Sequence, residues 1–265
     1  MNEPCLSLLQ ITDLHVLPTP EDKLLGVQTE RYFYAVLAHA FEQRKKYDLL
    51  LLTGDLAQLP CEASYQRILQ KVESYKIATR CLAGNHDDYA LMQRIFNTSQ
   101  INCRKQTCFE KWQIITLNSQ IIGSEKGRLA QSELDFLESS LQEKSDLFTV
   151  IAFHHNCLPT HSAWLDTMQI ENSEEFLKIV ARYSNVRVIV NGHIHQEMDE
   201  KIGDIAVFGT PSTCFQFALN SVDFCMDRMP PGYRIIDLYD DGSVSTSVQR
   251  IDSTMEELEL SSAGY

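Results

Sequence analysis

Two stretches decide the fold: Leu6-Ser7-Leu8-Leu9-Gln10-Ile11-Thr12-Asp13-Leu14-His15 and Asp48-Leu49-Leu50-Leu51-Leu52-Thr53-Gly54-Asp55. Each is a short apolar run that breaks off at a carboxylate or an imidazole. Runs of this length without regular alternation read as strands buried on both faces. Working outward, the same unit recurs. Residues 78–83 precede Gly84-Asn85-His86-Asp87, residues 147–153 precede His154-His155, and residues 186–191 precede Gly192-His193-Ile194-His195. Segments of helical period lie between these units, at residues 32–47, 62–75, 89–96, 131–143 and 176–183. Asn172 followed by Glu175 is the expected cap of the last of them. Residues 111–118 form a further strand. The final third changes character: residues 204–208, 233–238 and 243–250 read as strands, with Asp240-Asp241-Gly242 as the hairpin turn between the last two. The alternation implies an α/β architecture with strands buried between helical layers and a β-rich C-terminal part. Residues 1–252 are expected to form a single domain. Residues 253–265, rich in Glu and Ser, are expected to be a loosely held tail.

Bulk properties exclude several classes. The 265 residues are 44% apolar and 22% charged, as in an ordinary globular protein large enough to bury a core. No apolar run approaches the ~20 residues of a membrane span. Met1-Asn2-Glu3-Pro4-Cys5 brings no basic stretch before the first apolar run; a secretory signal is therefore not expected, and a cytoplasmic protein is. The eight cysteines are scattered, without metal-ribbon spacing, and read as reduced thiols. A net charge of −13 argues against a nucleic-acid surface, which needs lysines and arginines. It would also repel a phosphate ester unless metal ions reverse the field locally.

The five polar clusters all fall at the carboxyl ends of expected strands, the edge where ligand sites gather in open α/β sheets. Glycines beside them permit the sharp turns that aim side chains at one point. Asp13, His15, Asp55, Asn85, His154, His193 and His195 offer nitrogen and oxygen donors and no thiolate, a set suited to Mn, Fe or Zn. Asp55 is a natural bridge, so two ions fit better than one. Such a pair clamps the attacking and leaving oxygens of an in-line phosphoryl displacement and acidifies a bridging water.

In this order the motifs resemble the calcineurin-like metallophosphoesterase superfamily. Leu24-Leu25-Gly26-Val27, Thr53-Gly54-Asp55-Leu56-Ala57-Gln58, Gly192-His193-Ile194-His195-Gln196-Glu197, Thr210-Pro211-Ser212-Thr213-Cys214 and Pro231-Gly232-Tyr233-Arg234 further resemble the class III cyclic AMP phosphodiesterases of Gram-negative bacteria. The resemblance implies a four-layer α/β/β/α sandwich and two transition-metal ions, iron or manganese. One ion would be held by Asp13, His15, Asp55 and His195, the other by Asp55, Asn85, His154 and His193. His15, Asp55, Asn85, His86 and His195 would contact substrate, with His86 and Asp55 catalytic. The implied reaction opens 3′,5′-cyclic AMP to 5′-AMP by attack of the bridging hydroxide. His86 would face the phosphate as a contact or as an acid to the leaving oxygen.

Two departures matter. Many superfamily members carry an acidic residue three or four positions after the Gly-Asp aspartate, to orient the Asn-His histidine. Gln58 and Leu59 stand there, which leaves Asp87 or a substrate oxygen as the partner of His86. Relatives follow the first histidine of His154-His155-Asn156-Cys157 with another His and a Pro. His154 is taken as the ligand because it ends the strand, with the reverse assignment to His155 as the alternative. Outside the motifs, His39 reads as a helix packing residue, and Trp164 either stacks on adenine or packs its loop. Arg44-Lys45-Lys46 reads as the solvated end of a helix. A broad metallophosphoesterase and a non-catalytic scaffold are the competing functions.

Overall fold

The computed structural model describes residues 3–262 and Gly264. In chain order the strands are β1 (Leu6–Ile11), β2 (Leu49–Thr53), β3 (Thr79–Leu82), β4 (Ile101–Asn102), β5 (Gln106–Cys108), β6 (Trp112–Thr116), β7 (Phe148–Ala152), β8 (Val186–Asn191), β9 (Met198–Ile202), β10 (Ile205–Gly209), β11 (Gln216–Phe217), β12 (Met226–Asp227), β13 (Gly232–Leu238) and β14 (Val244–Arg250). The helices are α1 (Thr29–Gln43), α2 (Glu62–Glu73), α3 (Tyr89–Ile95), α4 (Gln131–Glu143) and α5 (Ser173–Val180), with a 3-10 turn at Leu165–Met168.

Twelve of the described strands form two six-stranded sheets, ordered β14-β13-β1-β2-β3-β4 and β5-β6-β7-β8-β10-β9, and β11 pairs with β12 in a small separate sheet. Strands β1 to β4 are parallel to one another, as are β6, β7, β8 and β10, and antiparallel strands occupy one edge of the first sheet and both edges of the second. Side-chain alternation then builds the layers. Leu6 and Leu8 of β1, Leu49 and Leu51 of β2, Val150 and Ala152 of β7, and Val188 and Val190 of β8 share one core between the sheets. Their neighbours Leu9, Ile11, Leu50 and Leu52 face the opposite way, toward Phe33, Val36 and Leu37 of α1 and Tyr65 and Ile68 of α2. Ile151 and Ile189 pack likewise against Leu134 and Leu137 of α4 and Phe176 of α5. Each central strand is therefore buried on both faces, which is why its sequence is continuously apolar. The result is helix, sheet, sheet, helix, as the sequence implies. Each such leucine contributes roughly 1.5–3 kcal/mol by its burial.

Local expectations and the structure differ in several places. Asn172 holds the N-cap position of α5 and its Nδ2 donates to Glu175, as the spacing implies, but its side chain makes no cap bond to the helix; its Oδ1 accepts from the Leu129 N–H and its Nδ2 also donates to the Leu129 carbonyl. Helix α1 starts three residues early and ends at Gln43, so Arg44-Lys45-Lys46 lies beyond it, with Arg44 paired to Asp237 and Lys46 to Asp48. Strand β9, Met-Asp-Glu-Lys-Ile, has no apolar signal, because it is an edge strand half open to solvent. Of the segment read as a tail, Met255 and Leu258 lie buried in the core of the first sheet. Glu257 accepts a hydrogen bond from Tyr32.

Candidate metal centre

Parallel strands in both sheets deliver the polar clusters to one place. The loops after β1, β2 and β3 bring Asp13, His15, Asp55, Asn85 and His86 from the first sheet. The loops after β7 and β8 bring His154, His193 and His195 from the second. Gln10, on β1, ties the sheets together beneath them: its amide donates to Thr53 Oγ1 and the Asn191 carbonyl and accepts from Thr210.

The ligand-type residues themselves turn the chain. Asp13, His15, Asp55, His193 and His195 all adopt positive φ, between 46° and 66°. Non-glycine residues visit this left-handed region at a cost of about 1 kcal/mol or more, tolerated where surrounding contacts over-determine it. The glycines serve close approach more than turning. A Cβ on Gly84 would lie 2.1 Å from Asp55 Oδ1, and one on Gly192 2.0 Å from Thr12 Oγ1.

Two sets of donor atoms converge, linked by a third. Asp13, His15 and His195 form one group, Asp55, His154 and His193 another, and His15, Asp55 and His86 a third that overlaps both, the donors of each lying within 4.8 Å of one another. Asp55 joins them: its Oδ2 lies 3.3 Å from His154 Nε2 and 3.8 Å from His15 Nε2. Its Oδ1 is occupied by the backbone N–H of His86 at 2.9 Å. Asp13 divides in the same manner. Oδ2 accepts from Thr12 Oγ1 and the His193 N–H, and Oδ1 lies 3.3 Å from His195 Nε2. Asn85 Oδ1 lies 3.2 Å from His154 Nε2.

The imidazoles are oriented from behind. His154 Nδ1 donates to the Thr53 carbonyl, His195 Nδ1 to the Phe215 carbonyl, and His15 Nδ1 to Gln58 Oε1 at 2.6 Å. A neutral histidine that donates through Nδ1 has a bare lone pair at Nε2. The Nε2 atoms of His15 and His195 nevertheless face each other at 3.2 Å, and His193 Nε2 is buried without a partner among the described residues. Lone pairs and carboxylate oxygens converging on shared points repel unless cations lie among them, and imidazoles held this way are typical of metal ligands. The residues therefore fit two metal ions.

Charge in the cluster points the same way. Burial pushes His15 down to about 3 and also lowers His193. Burial opposes the charge on His154 as well, but the Asp55 and Asp13 carboxylates outweigh it and push its pKa up to about 9.

Several sequence readings are refined here. Gln58 is not a gap but the group that orients His15. The Asp87 carboxylate accepts from the backbone N–H groups of Leu56, Ala57 and Gly84 and from Tyr65 Oη, bracing the loops after β2 and β3 against each other. Burial and the nearby Asp55 charge raise its pKa to about 6. His154, not His155, reaches Asp55; His155 Nδ1 bonds Ser119 Oγ. His39 bonds Tyr233 Oη, away from the centre. Ser212, whose Oγ donates to the Asp13 carbonyl, lies in a string that carries the family resemblance, but no residue chemistry singled it out. His86 is half-buried and lines a cavity of about 220 Å³ with Asn85, His193, Trp164 and Phe217.

Comparison with known proteins agrees with this geometry. Residues 6–197 match the model of the calcineurin-like phosphoesterase family. The chain is 36% identical over 264 residues to the 3′,5′-cyclic adenosine monophosphate phosphodiesterase CpdA of Haemophilus influenzae, covering 99% of this chain and 96% of that one. The enzyme of the same name from Escherichia coli K12 is 34% identical, with the same coverage. A 3′,5′-cyclic-nucleotide phosphodiesterase of Nostoc is 37% identical over 252 residues, covering 95% of each. Among solved structures, a dimetal phosphatase from Danio rerio aligns with a TM-score of 0.67 at 11% identity, over 90% of this chain and 94% of that one. Purple acid phosphatase from yellow lupin aligns with a TM-score of 0.64 at 10% identity, over 94% and 52%. At those identities the structural likeness speaks for the fold alone.

Proposed function

The chain belongs to the calcineurin-like phosphoesterase family, and on that premise we propose that it hydrolyses 3′,5′-cyclic AMP to 5′-AMP in the cytoplasm, using two metal ions, iron or manganese. The observation that carries this reading is Asp55 Oδ2, placed between His15 Nε2 and His154 Nε2 where one oxygen serves both donor groups. The substrate follows from the relatives, which match this chain over nearly its full length and are named for cyclic nucleotide hydrolysis.

In this reading Asp13, His15, Asp55 and His195 hold one ion, and Asp55, Asn85, His154 and His193 the other. Bound there, the ions would acidify water at neutral pH and stabilise charge on the phosphoryl oxygens. The chain contributes the rest. Thr12, Gln58, Thr53 and the Phe215 carbonyl fix the ligands before substrate arrives, so little reorganisation is needed in the transition state. His86 is held by its own backbone bond to Asp55, with its imidazole lining the cavity beside Asn85. In this reading His86 donates a hydrogen bond to the phosphate or a proton to the departing 3′ oxygen.

The test is a substrate panel on metal-reconstituted protein: 3′,5′-cyclic AMP, cyclic GMP, 2′,3′-cyclic AMP and bis-p-nitrophenyl phosphate. Preferred opening of 3′,5′-cyclic AMP to 5′-AMP supports the proposal. Fast turnover of the generic diester with little on cyclic AMP would sink it in favour of a broad phosphoesterase. No metal uptake and no turnover would favour a scaffold.

Two further outcomes follow from the ligand assignment. Gln58→Leu removes the acceptor that orients His15 and is expected to weaken metal binding about ten-fold or more, measured by chelator competition. Unchanged affinity would show that packing alone holds His15. Metal affinity should also rise with pH. His154, at about 9 in the metal-free chain, must lose its proton to bind, whereas His15, at about 3, is already neutral. Affinity should therefore climb about ten-fold per pH unit from roughly 6.5 to 8.5 and level off above the His154 pKa. A flat profile would contradict His154 as a ligand.

A further inference from the structure

Trp164 is not accounted for by the metal chemistry, and its surroundings are unusual for a loop tryptophan. It is half-buried, whereas Trp112, the other tryptophan, is sealed between the two sheets. The indole is fixed from behind, its Nε1–H donating to Ser221 Oγ at 2.9 Å. Its loop is pinned in turn: Asp166 accepts from the Thr160 N–H and hydroxyl, and the Ala163 N–H donates to the Ser221 carbonyl. Phe217 and Phe224 meet the indole edge-to-face at 4.9 and 5.1 Å. Phe217 also stacks on His195, with centroids 4.3 Å apart and ring planes 17° from parallel. An aromatic surface thus runs unbroken from the metal centre to Trp164. The same residues, with Met168, form the apolar wall of the cavity whose polar wall is Asn85, His86, Glu125 and His193.

A phosphate needs none of this. Aromatic rings held rigidly beside an anion-binding centre offer binding energy only to a ligand that carries a flat apolar group next to its phosphate. Cyclic nucleotides have that build, and base–aromatic stacking is tolerant of base identity. We propose that Trp164, Phe217 and Phe224 form the nucleobase subsite of this centre, with Trp164 the principal stacking surface. The inference rests on the nucleotide phosphodiesterase reading and names where that substrate's base lies.

The experiment compares 5′-AMP with ribose 5-phosphate, which keeps the phosphate and sugar and lacks the base. Both are titrated into the metal-loaded full-length protein and into its Trp164→Leu variant. The wild type is expected to bind 5′-AMP about ten-fold more tightly than ribose 5-phosphate, toward the lower end of what stacking supplies. Trp164→Leu should bring the two affinities together while leaving that for ribose 5-phosphate and the metal content unchanged. Equal affinities in the wild type, or a ratio preserved in Trp164→Leu, would overturn the proposal. Should the variant fail to fold, wild-type indole fluorescence decides, since Trp112 is shielded. Quenching by 5′-AMP but not by ribose 5-phosphate supports stacking on Trp164, and tight 5′-AMP binding without quenching refutes it. Failure of the wild type to hydrolyse cyclic AMP would count against the proposed reaction and leave this binding comparison intact.

Discussion

Asp55→Asn is expected to lower kcat/KM on cyclic AMP by roughly 10³-fold or more and to leave at most one metal ion per chain, because one oxygen of Asp55 serves both donor groups. The side-chain oxygen of the new amide must stay where Oδ1 now accepts the His86 N–H. Its NH₂ then occupies the position of Oδ2, 3.3 Å from His154 Nε2 and 3.8 Å from His15 Nε2. An amide N–H there bonds an imidazole lone pair directly, filling the place of a cation with a neutral donor. The metal-free variant should unfold at a lower temperature than the metal-free wild type, since the carboxylate that holds the His154 proton is lost and a buried ion pair is broken. Elemental analysis, steady-state kinetics and thermal melts measure the three quantities. Two ions per chain with activity within about ten-fold of wild type would refute the bridging role.

Gly192→Ala is expected to damage both stability and metal binding. The added Cβ would lie 2.0 Å from Thr12 Oγ1, 2.8 Å from Asp13 Oδ2 and 3.0 Å from the Thr53 carbonyl. Thr12 and Asp13 are fully buried, and the Thr12 hydroxyl already bonds both Asp13 Oδ2 and the Thr53 carbonyl. The clash therefore falls on atoms that cannot swing away, and overpacking of this kind costs about 1–3 kcal/mol, occasionally more. Relief requires moving Asp13, so metal binding should fall with stability. The double variant Gly192→Ala/Thr12→Ala tests the cause: removing the hydroxyl should recover part of the stability, a positive coupling by double-mutant cycle. Strict additivity of the two losses would show that the glycine is needed for another reason.

Where the sequence was legible, one physical cause was at work. Central strands buried on both faces must be continuously apolar, so Leu49-Leu50-Leu51-Leu52 and its counterparts marked themselves, and the polar residues after them stood out. Edge strands carry no such demand, and β9 went unseen. Asn172 holds the N-cap position and meets Glu175 as its spacing implies, but its side-chain oxygen bonds the Leu129 N–H in place of the helix's own. Local spacing cannot report a competitor 43 residues away.

The candidate site divides along the same line. Ligand-type residues were visible because each sits at a fixed offset from a strand end, a relation that lies within a few residues of chain. Their supports come from elsewhere in the sequence. Gln58 reaches His15, Phe215 lends its carbonyl to His195, and Thr53 holds His154 across 101 positions. Asp87 likewise bonds backbone 30 and 31 residues away.

By itself, the sequence determined the layered architecture, the order of the strands that carry the site, and the residue types offered to metal, since burial and strand-end position leave a local signature. The tertiary structure alone decided which imidazole nitrogens face inward, that Asp55 Oδ2 lies near both His15 Nε2 and His154 Nε2, that His154 and not His155 meets it, and that Trp164 joins the cavity. Those outcomes depend on hydrogen bonds and ring contacts between loops of two different sheets. No pattern along the chain encodes such contacts until the sheets have stacked.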